Sequence, residues 1–374
     1  MHSNHFAQKH YKLIKILAEN QLDALALNAG PNLTHLTGLH FHLMERPVVG
    51  FFPRDGKPLF VLPELEQAKL AELPFDFQAF PYSEDRESWP KAFQQAVKAG
   101  GLDAKKIGVI ARRMRVLELR FLQGAAPQAE FIPAEEAVAE LRMRKNAQEI
   151  ASMQNAAQCA QLALQNTLAG MKIGMTERQF AAELTSQLLR GGSDPELPFS
   201  PIVASGPNSA NPHATPTDRK LSEGDLLLVD WGASVDEYFS DITRTFAIGE
   251  VSAQMKQIAG VVAQANAAGR IIAKPGVSAG DVDHAVREVI SQAGYGEFFT
   301  HRTGHGLGRE GHEEPYISAG NKLILEVGMT FTIEPGIYIP QVGGVRIEDD
   351  MVITPQGCES LTDLPRELIK VGDL

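Results

Sequence analysis

Two carboxylates lie at the ends of apolar segments in the C-terminal half of the chain, where continued burial is expected. Asp230 follows the apolar run of residues 226–229, which predicts a strand buried on both faces, and Asp241 lies on a predicted strand rich in β-branched residues. An ionised carboxylate is costly to bury without a compensating charge, and two carboxylates on paired strands repel each other. The two residues therefore indicate either a metal site or salt bridges to Arg219 or Arg244.

The same pattern occurs a second time further along the chain. Residues 325–336, LEVGMTFTIEPG, align with residues 221–232, LSEGDLLLVDWG, and this alignment matches Glu334 with Asp230. Two helix-like segments upstream also resemble each other, at residues 173–192 and 275–294. Because only two units are present, the duplication predicts a pseudo-symmetric domain rather than a solenoid.

A glycine-rich segment, HRTGHGLGREGHEEP, begins at His301 and carries three histidines. Its glycines at positions 304, 306 and 308 would let the backbone pass close to a ligand or metal. The segment lacks the Lys-Ser/Thr pair of a phosphate-binding loop, and the chain has no Rossmann glycine fingerprint. A metal site is therefore favoured over a nucleotide site.

One further carboxylate, Glu348, lies with Arg346 on the predicted last core strand, residues 343–353. Its neighbours Asp349 and Asp350 predict a salt-bridged or solvated pair, although either could compete with Glu348 for a metal.

Together these residues predict an oxygen-rich metal centre formed by Asp230, Asp241, His305, Glu334 and Glu348. Such hard ligands suit Mn²⁺, and Co²⁺, Fe²⁺ or Zn²⁺ would also bind. Four negative charges would balance two divalent cations, which bridging carboxylates can hold about 3.5–4 Å apart with a shared water. Because metals lower the pKa of such a water, the centre would support hydrolysis of amides or of phosphoesters.

The composition limits the classes of partner. Hydrophobic content of 44% and charged content of 22% are ordinary for a globular protein, and the net charge of −11 disfavours nucleic acid and anionic membranes. No apolar run is long enough for a membrane span, and the N-terminus lacks the apolar core of a signal peptide. Cys159 and Cys358 form no metal or redox motif, so we expect a cytoplasmic protein.

The chain is long enough for two domains. Short strands alternate with helices over residues 1–134 and predict an α/β N-terminal domain, in which no catalytic constellation is evident. A boundary at about residue 134, beside Pro133, leaves residues 135–374 as an α+β domain that carries every candidate site residue. This domain would begin with a long helical region that extends from Glu135 to about residue 168.

The C-terminal motifs resemble those of the dinuclear metallopeptidases with the pita-bread fold, the family of methionine aminopeptidase, aminopeptidase P and prolidase. The resemblance rests on the motifs VDWG, SDITRTF, TGHGLGREGHEEP, TIEPG and VRIEDD. The N-terminal region resembles the creatinase/prolidase type of domain in size and texture. This extra domain, and EPG followed by VRIED, favour the proline-specific branch.

The resemblance implies a role for each candidate residue. Asp230 would bind one metal, His305 and Glu334 the other, and Asp241 and Glu348 would bridge them.

The same resemblance implies roles around the metals. His213 would stabilise the tetrahedral intermediate, His312 would contact the substrate near the scissile bond, and His301 is a further active-site histidine. Arg346 would orient Asp241 or Glu348 by hydrogen bonding, and Glu334 would carry a proton from the metal-bound water to the leaving amine.

The resemblance predicts a peptidase that cleaves the Xaa-Pro bond of small peptides with proline in the second position. The hydroxide that attacks the bond would be held by two divalent metal ions, for which Mn²⁺ is favoured and Co²⁺, Zn²⁺ or Fe²⁺ are alternatives.

 The compact N-terminal domain favours a dipeptidase (prolidase) over an aminopeptidase P that acts on longer peptides, and a homodimer is expected. The alternatives are a hydrolase of another small amide, a catalytically inactive binding protein, or a metal-free amidinohydrolase like creatinase.

Overall fold

The computed structural model describes residues 2–371, without the side chains of residues 2–5 and 7. The chain divides into two compact units between Arg142 and Met143. No helix within residues 2–371 combines the length and the apolar character needed to cross a membrane.

The first unit is built on a mixed six-stranded sheet with the strand order β4-β3-β2-β1-β5-β6. Its strands are β1 (Ala24–Asn28), β2 (Val49–Pro53), β3 (Leu59–Pro63), β4 (Gln78–Tyr82), β5 (Lys106–Val109) and β6 (Glu130–Pro133). Its α-helices are α1 (His2–Glu19), α2 (Pro31–Thr37), α3 (Ser88–Gly100), α4 (Val116–Ala125) and α5 (Glu135–Arg142), and residues Glu64–Glu72 form a 3₁₀ helix. The predicted α/β architecture is confirmed.

Alternate residues of β1 enter the two hydrophobic cores of this unit, as expected for a strand covered on both faces. Leu25 and Leu27 pack in one core, whereas Ala24 and Ala26 pack in the other. Helix α5 contributes Leu141 to the first of these cores, so it belongs to the first unit although it lies beyond the predicted boundary at residue 134.

The predicted long helical region is two helices instead of one, because the chain breaks between α5 and α6 (Ala147–Ala169). Asn146 caps α6 by accepting hydrogen bonds from the backbone N–H groups of Gln148 and Glu149, and the Glu149 carboxylate accepts from Asn146 N in return. This capping box is visible in the sequence as N-A-Q-E.

The second unit contains two largely antiparallel sheets and two pairs of helices. The helices are α6, α7 (Glu177–Arg190), α8 (Ala253–Ile272) and α9 (Ala279–Gln292), with short 3₁₀ helices at Gly206–Ala210 and Gly296–Phe298. The first sheet has the order β19-β11-β8-β7, from β7 (Ile202–Ser205), β8 (Leu226–Trp231), β11 (Ile242–Ile248) and β19 (Ile369–Val371). The second has the order β13-β12-β14-β17-β18, from β12 (Gly304–Gly306), β13 (Glu313–Ile317), β14 (Thr330–Ile333), β17 (Asp349–Thr354) and β18 (Gly357–Ser360).

Two short ribbons complete the second unit, β9 (Ser234–Val235) with β10 (Tyr238–Phe239), and β15 (Gly336–Ile339) with β16 (Gly343–Arg346). In each half a packed helix pair precedes a sheet, which is the order that the predicted duplication requires. The two sheets meet where Glu348 N donates to Thr243 O at 3.0 Å.

Candidate metal centre

The predicted ligands come from the strand ends at which the two sheets meet. In the first sheet, Asp230 pairs with Thr243, and Asp241 directly precedes the same strand, β11. In the second sheet, His305 is the central residue of β12, while Glu334 directly follows β14 and Glu348 directly precedes β17. The antiparallel pairing therefore brings together residues that are far apart in the sequence.

Three of the predicted ligands form a compact cluster. Asp241, His305 and Glu348 are buried, and each offers an oxygen or nitrogen atom within 4.8 Å of those of the other two. Glu334 joins them, because its Oε1 lies 3.3 Å from His305 Nε2, while Asp241 Oδ2 lies 3.6 Å from the same nitrogen. These distances allow the side chains to share a cation.

Asp230 adds an oxygen for which residues 2–371 supply no hydrogen-bond donor. Its Oδ2 accepts a hydrogen bond from Arg346, whereas Oδ1 is buried without a hydrogen-bond partner among the described residues. A buried carboxylate oxygen without a donor is unfavourable, and a bound cation would compensate it. The four carboxylates and the imidazole form a hard donor set of the kind that binds divalent cations, so the residues fit a metal.

The electrostatics of the cluster support the same interpretation. Burial, followed by repulsion from Glu348 and Asp230, raises the pKa of Asp241 well above its ordinary value. Burial and the neighbouring carboxylates also raise the pKa of Glu348, and burial raises the pKa of Glu334 to about 7 although Arg346 opposes the shift. Carboxylates buried this close together stay ionised only if a positive charge is added beside them.

The salt-bridge alternative is wrong for Arg219 and Arg244. Arg219 pairs with Asp225 at 2.7 Å, and Arg244 pairs with Asp349 at 2.7 Å. Asp349 also pairs with Arg366, so its predicted salt bridge is confirmed.

The surroundings of Asp350 differ from those of the adjacent Asp349. It is fully buried rather than solvated, and its carboxylate accepts a hydrogen bond from Asp241 N at 3.1 Å. Because it points at the backbone of a predicted ligand, Asp350 helps to position Asp241.

The family resemblance implies that Arg346 hydrogen-bonds to Asp241 or Glu348, but in the structure it bonds directly to Asp230 instead. It reaches Glu348 only through Thr243, whose hydroxyl accepts from Arg346 Nε at 3.0 Å and donates to Glu348 Oε2 at 2.6 Å. The reason is topological, because β16 packs beside β8, the strand that carries Asp230.

Tyr338 is a site residue that the sequence does not reveal. Its hydroxyl accepts from Arg346 Nη1 at 2.9 Å and lies 2.8 Å from His301 Nε2. Burial raises its pKa to about 12, so the phenol stays protonated at neutral pH. In the sequence it is a single aromatic residue without a motif of its own, and only the fold gives its hydroxyl these partners.

The four candidate histidines lie in three places. The ring centroids of His305 and His312 are 3.9 Å apart, and His301 joins the site through Tyr338. Burial is the main reason that the pKa of His301 falls to about 4, and Arg346 and His213 lower it further. His213 is exposed on a separate loop, where the preceding Pro212 O accepts from Arg346 Nη1 at 3.3 Å.

The glycines on either side of His305 allow close packing within the sheet. A Cβ atom on Gly304 would lie 1.8 Å from Thr332 O, and one on Gly306 would lie 2.3 Å from Glu314 O. Only glycine allows these backbones to approach so closely. The glycines therefore fix His305 between β13 and β14.

Arg302 is a second residue that the sequence does not single out. Its guanidinium lies 4.4 Å from the Tyr316 ring centroid and is half-buried, and it pairs with no carboxylate among the described residues. The next residue, Thr303, accepts a hydrogen bond from Glu334 N at 2.8 Å. Arg302 thus presents a positive charge beside the cluster.

The fold and the site together define a hydrolase of the metal-dependent type, with a buried carboxylate–histidine cluster held between two sheets. Residues 151–355 match the model of metallopeptidase family M24, and residues 9–144 match the creatinase/prolidase N-terminal domain. The chain belongs to family M24, a family of dinuclear metallopeptidases with the pita-bread fold.

Several known proteins are similar over nearly the whole chain. A crystal structure of a prolidase from Thermococcus sibiricus has a TM-score of 0.93 and 34% identity, and covers 98% of this chain and 99% of its own. A dipeptidase structure from Pyrococcus horikoshii OT3 has a TM-score of 0.91 and 38% identity, and covers 97% of this chain and 100% of its own. The uncharacterised peptidase YqhT of Bacillus subtilis is 36% identical over 360 residues, 96% of this chain and 98% of that protein.

Proposed function

We propose that this peptidase is an Xaa-Pro dipeptidase that works with two divalent cations. The observation that carries the proposal is the convergence of Asp241, His305 and Glu348, with Glu334 beside them and Asp230 at the end of the neighbouring strand. The similarity to solved structures of a prolidase and a dipeptidase supports the substrate class.

The residues would bind the two cations in the arrangement that the family resemblance implies. Asp230 would hold one cation, His305 and Glu334 the other, and Asp241 and Glu348 would contact both. When bound, two such ions, Mn²⁺ being the best match to this donor set, would lower the pKa of a bound water and polarise the scissile carbonyl.

Glu334 is suited to move a proton. Its carboxylate would lie beside the water that the cations would hold, where it could accept the proton of that water. The accepted proton would be delivered to the proline nitrogen, which leaves as the amine.

The surrounding residues would hold the substrate. The exposed His213 imidazole would donate to the oxyanion of the tetrahedral intermediate, and His312, whose ring lies against that of His305, would contact the substrate next to the scissile bond. Arg346 and Tyr338 would keep Asp230 and His301 in place through the hydrogen bonds that join them.

Arg302 supports a dipeptide over a longer substrate. A half-buried guanidinium with no carboxylate partner among residues 2–371 is suited to bind a carboxylate. In an Xaa-Pro dipeptide the product-side carboxylate is close to the scissile bond, whereas a tripeptide carries an amide there.

The deciding experiment offers an Xaa-Pro dipeptide and an Xaa-Pro-Yaa tripeptide in parallel, with Mn²⁺ and with a chelator. We expect rapid cleavage of the dipeptide that the chelator abolishes. Cleavage of the tripeptide alone would assign an aminopeptidase P activity instead, and cleavage of neither would overturn the Xaa-Pro assignment. Activity that survives the chelator would contradict the metal-dependent mechanism.

A cytoplasmic location and a homodimeric state stay predictions from the sequence. Fractionation of the source cells tests the first, and sedimentation of the purified protein tests the second.

A further inference from the structure

We propose that Glu177 is a positioning residue that clamps the two ends of the loop bearing His213. Glu177 is the first residue of α7 and is fully buried, with 0% of its surface exposed. The loop of residues 206–216 begins after Ser205, the last residue of β7, and ends before Thr217. The proposal concerns how the protein holds His213, and it rests on the proposed role of that histidine.

One oxygen of the carboxylate holds the start of the loop. Glu177 Oε1 accepts from Ser205 N at 2.7 Å, from Ser205 Oγ at 2.9 Å and from Asn208 Nδ2 at 3.1 Å.

The other oxygen holds the end of the loop. Glu177 Oε2 accepts from Thr217 N at 2.9 Å and from Thr217 Oγ1 at 2.6 Å, and Asn208 Nδ2 reaches it at 3.2 Å. A single buried carboxylate therefore joins the two stems of the loop, and the N-terminus of α7 favours its negative charge.

The loop is attached to strand β16 at two further points. Gly344 N donates to Ser209 Oγ at 2.8 Å, and Arg346 Nη1 donates to Pro212 O at 3.3 Å. Because Arg346 also bonds Asp230, the loop is held against the same strand end that supplies a predicted ligand. With both stems fixed, the backbone that carries the exposed His213 side chain has a defined position relative to Asp230.

The test is the isosteric change Glu177→Gln. A glutamine side chain has one acceptor oxygen and one NH₂ group. The NH₂ group would face the backbone N–H of either Ser205 or Thr217, and a backbone N–H can only donate, so no hydrogen bond would form there. One stem would lose its acceptor, and a buried N–H without a partner is unfavourable. We expect faster amide hydrogen exchange across residues 205–217 in the metal-free protein.

The kinetic arm uses a double-mutant cycle with His213→Ala. We expect Glu177→Gln to lower kcat on an Xaa-Pro dipeptide about tenfold, with a small change in KM, in the otherwise unaltered protein. In the His213→Ala background we expect no further loss. An equal loss in both backgrounds would show that Glu177 acts independently of His213 and would overturn the proposal.

Two variants complete the design. Glu118→Gln alters another carboxylate with 0% exposure, one that pairs with Arg115 in the first unit, and it should leave kcat unchanged. If Glu177→Gln does not fold, Thr217→Val removes only one donor to the carboxylate and should give a smaller loss of kcat that again disappears with His213→Ala.

The two proposals fail separately. If the unaltered protein cleaves no peptide, the proposed function fails, and hydrogen exchange still decides whether Glu177 clamps the loop. Unchanged exchange of residues 205–217 in Glu177→Gln would reject the clamp whatever the activity.

Discussion

The hydroxyl of Tyr338 lies 2.8 Å from Nε2 of His301, although the two residues are 37 positions apart in the chain. The same hydroxyl accepts a hydrogen bond from Arg346, which also bonds Asp230. A histidine, a phenol and a guanidinium thus form one hydrogen-bonded chain that ends on a predicted metal ligand.

Replacing Tyr338 by Phe should break this chain. His301 and Arg346 would each lose a buried partner, at a cost of about 1–3 kcal/mol in the free energy of unfolding, and we expect kcat on an Xaa-Pro dipeptide to fall about tenfold. Thermal unfolding and steady-state kinetics measure the two effects. Tyr82→Phe is the matched control, because Tyr82 donates to Pro47 O at 2.8 Å in the first unit and should affect stability alone. A Tyr338→Phe enzyme with unaltered kcat would contradict a role in the site.

Glu334→Gln should abolish most activity while the protein stays folded. The amide has almost the shape of the carboxylate but cannot accept and release a proton, and general acid–base groups contribute about 10²- to 10⁴-fold to the rate. We expect kcat to fall within that range, as measured with an Xaa-Pro dipeptide at saturating Mn²⁺. Because Glu334 is also a predicted ligand, bound metal must be counted in both proteins. Full activity in the Gln variant would exclude the proposed proton transfer.

The metal-free protein should lose stability as the pH rises from about 4.5 to about 7. Folding raises the pKa of Glu334 from 4.5 to about 7, so the folded state holds a proton that the unfolded chain has lost. This contribution is fully present below the unfolded value and disappears as the pH passes the folded value. Differential scanning calorimetry in chelator should show the fall in Tm, and Glu334→Gln should weaken it.

Added divalent cation should reverse that loss at neutral pH. A ligand that binds only the folded state stabilises it by about 2.7 kcal/mol at one hundred times its Kd. A Tm that does not respond to Mn²⁺, or to Co²⁺ or Zn²⁺, would argue against a metal site at these carboxylates.

Arg302→Ala should impair dipeptides selectively. If the guanidinium binds the substrate carboxylate, KM for an Xaa-Pro dipeptide should rise about tenfold or more, whereas KM for the corresponding Xaa-Pro amide should change little. Arg302→Lys should restore part of the difference, because the charge remains without the planar fork. Arg190→Ala, at the exposed end of α7, is the control. Equal effects on dipeptide and amide would contradict carboxylate recognition by Arg302.

The residue types of the candidate metal centre, and the order of the elements that carry them, could be predicted from the sequence alone. Asp230 and Glu334 could be matched because the chain repeats the same strand-end pattern, and apolar runs bounded by glycine predict buried strands from local information. The α/β character of the first unit follows from the same periodicity. The break before α6 was also encoded locally, in the capping box that begins at Asn146.

The partners that these side chains contact depend on how the strands and helices pack in the folded chain. Arg346 bonds Asp230 because β16 packs beside β8, and Tyr338 meets His301 because β15 lies near the segment that precedes β12. Glu177 accepts from Ser205 and Thr217, residues that no local pattern joins to it. Hydrogen bonds of this kind depend on the register and packing of strands and helices that are distant in the chain. Hydrophobic periodicity indicates which face of an element is buried, but it does not indicate which residues that face packs against.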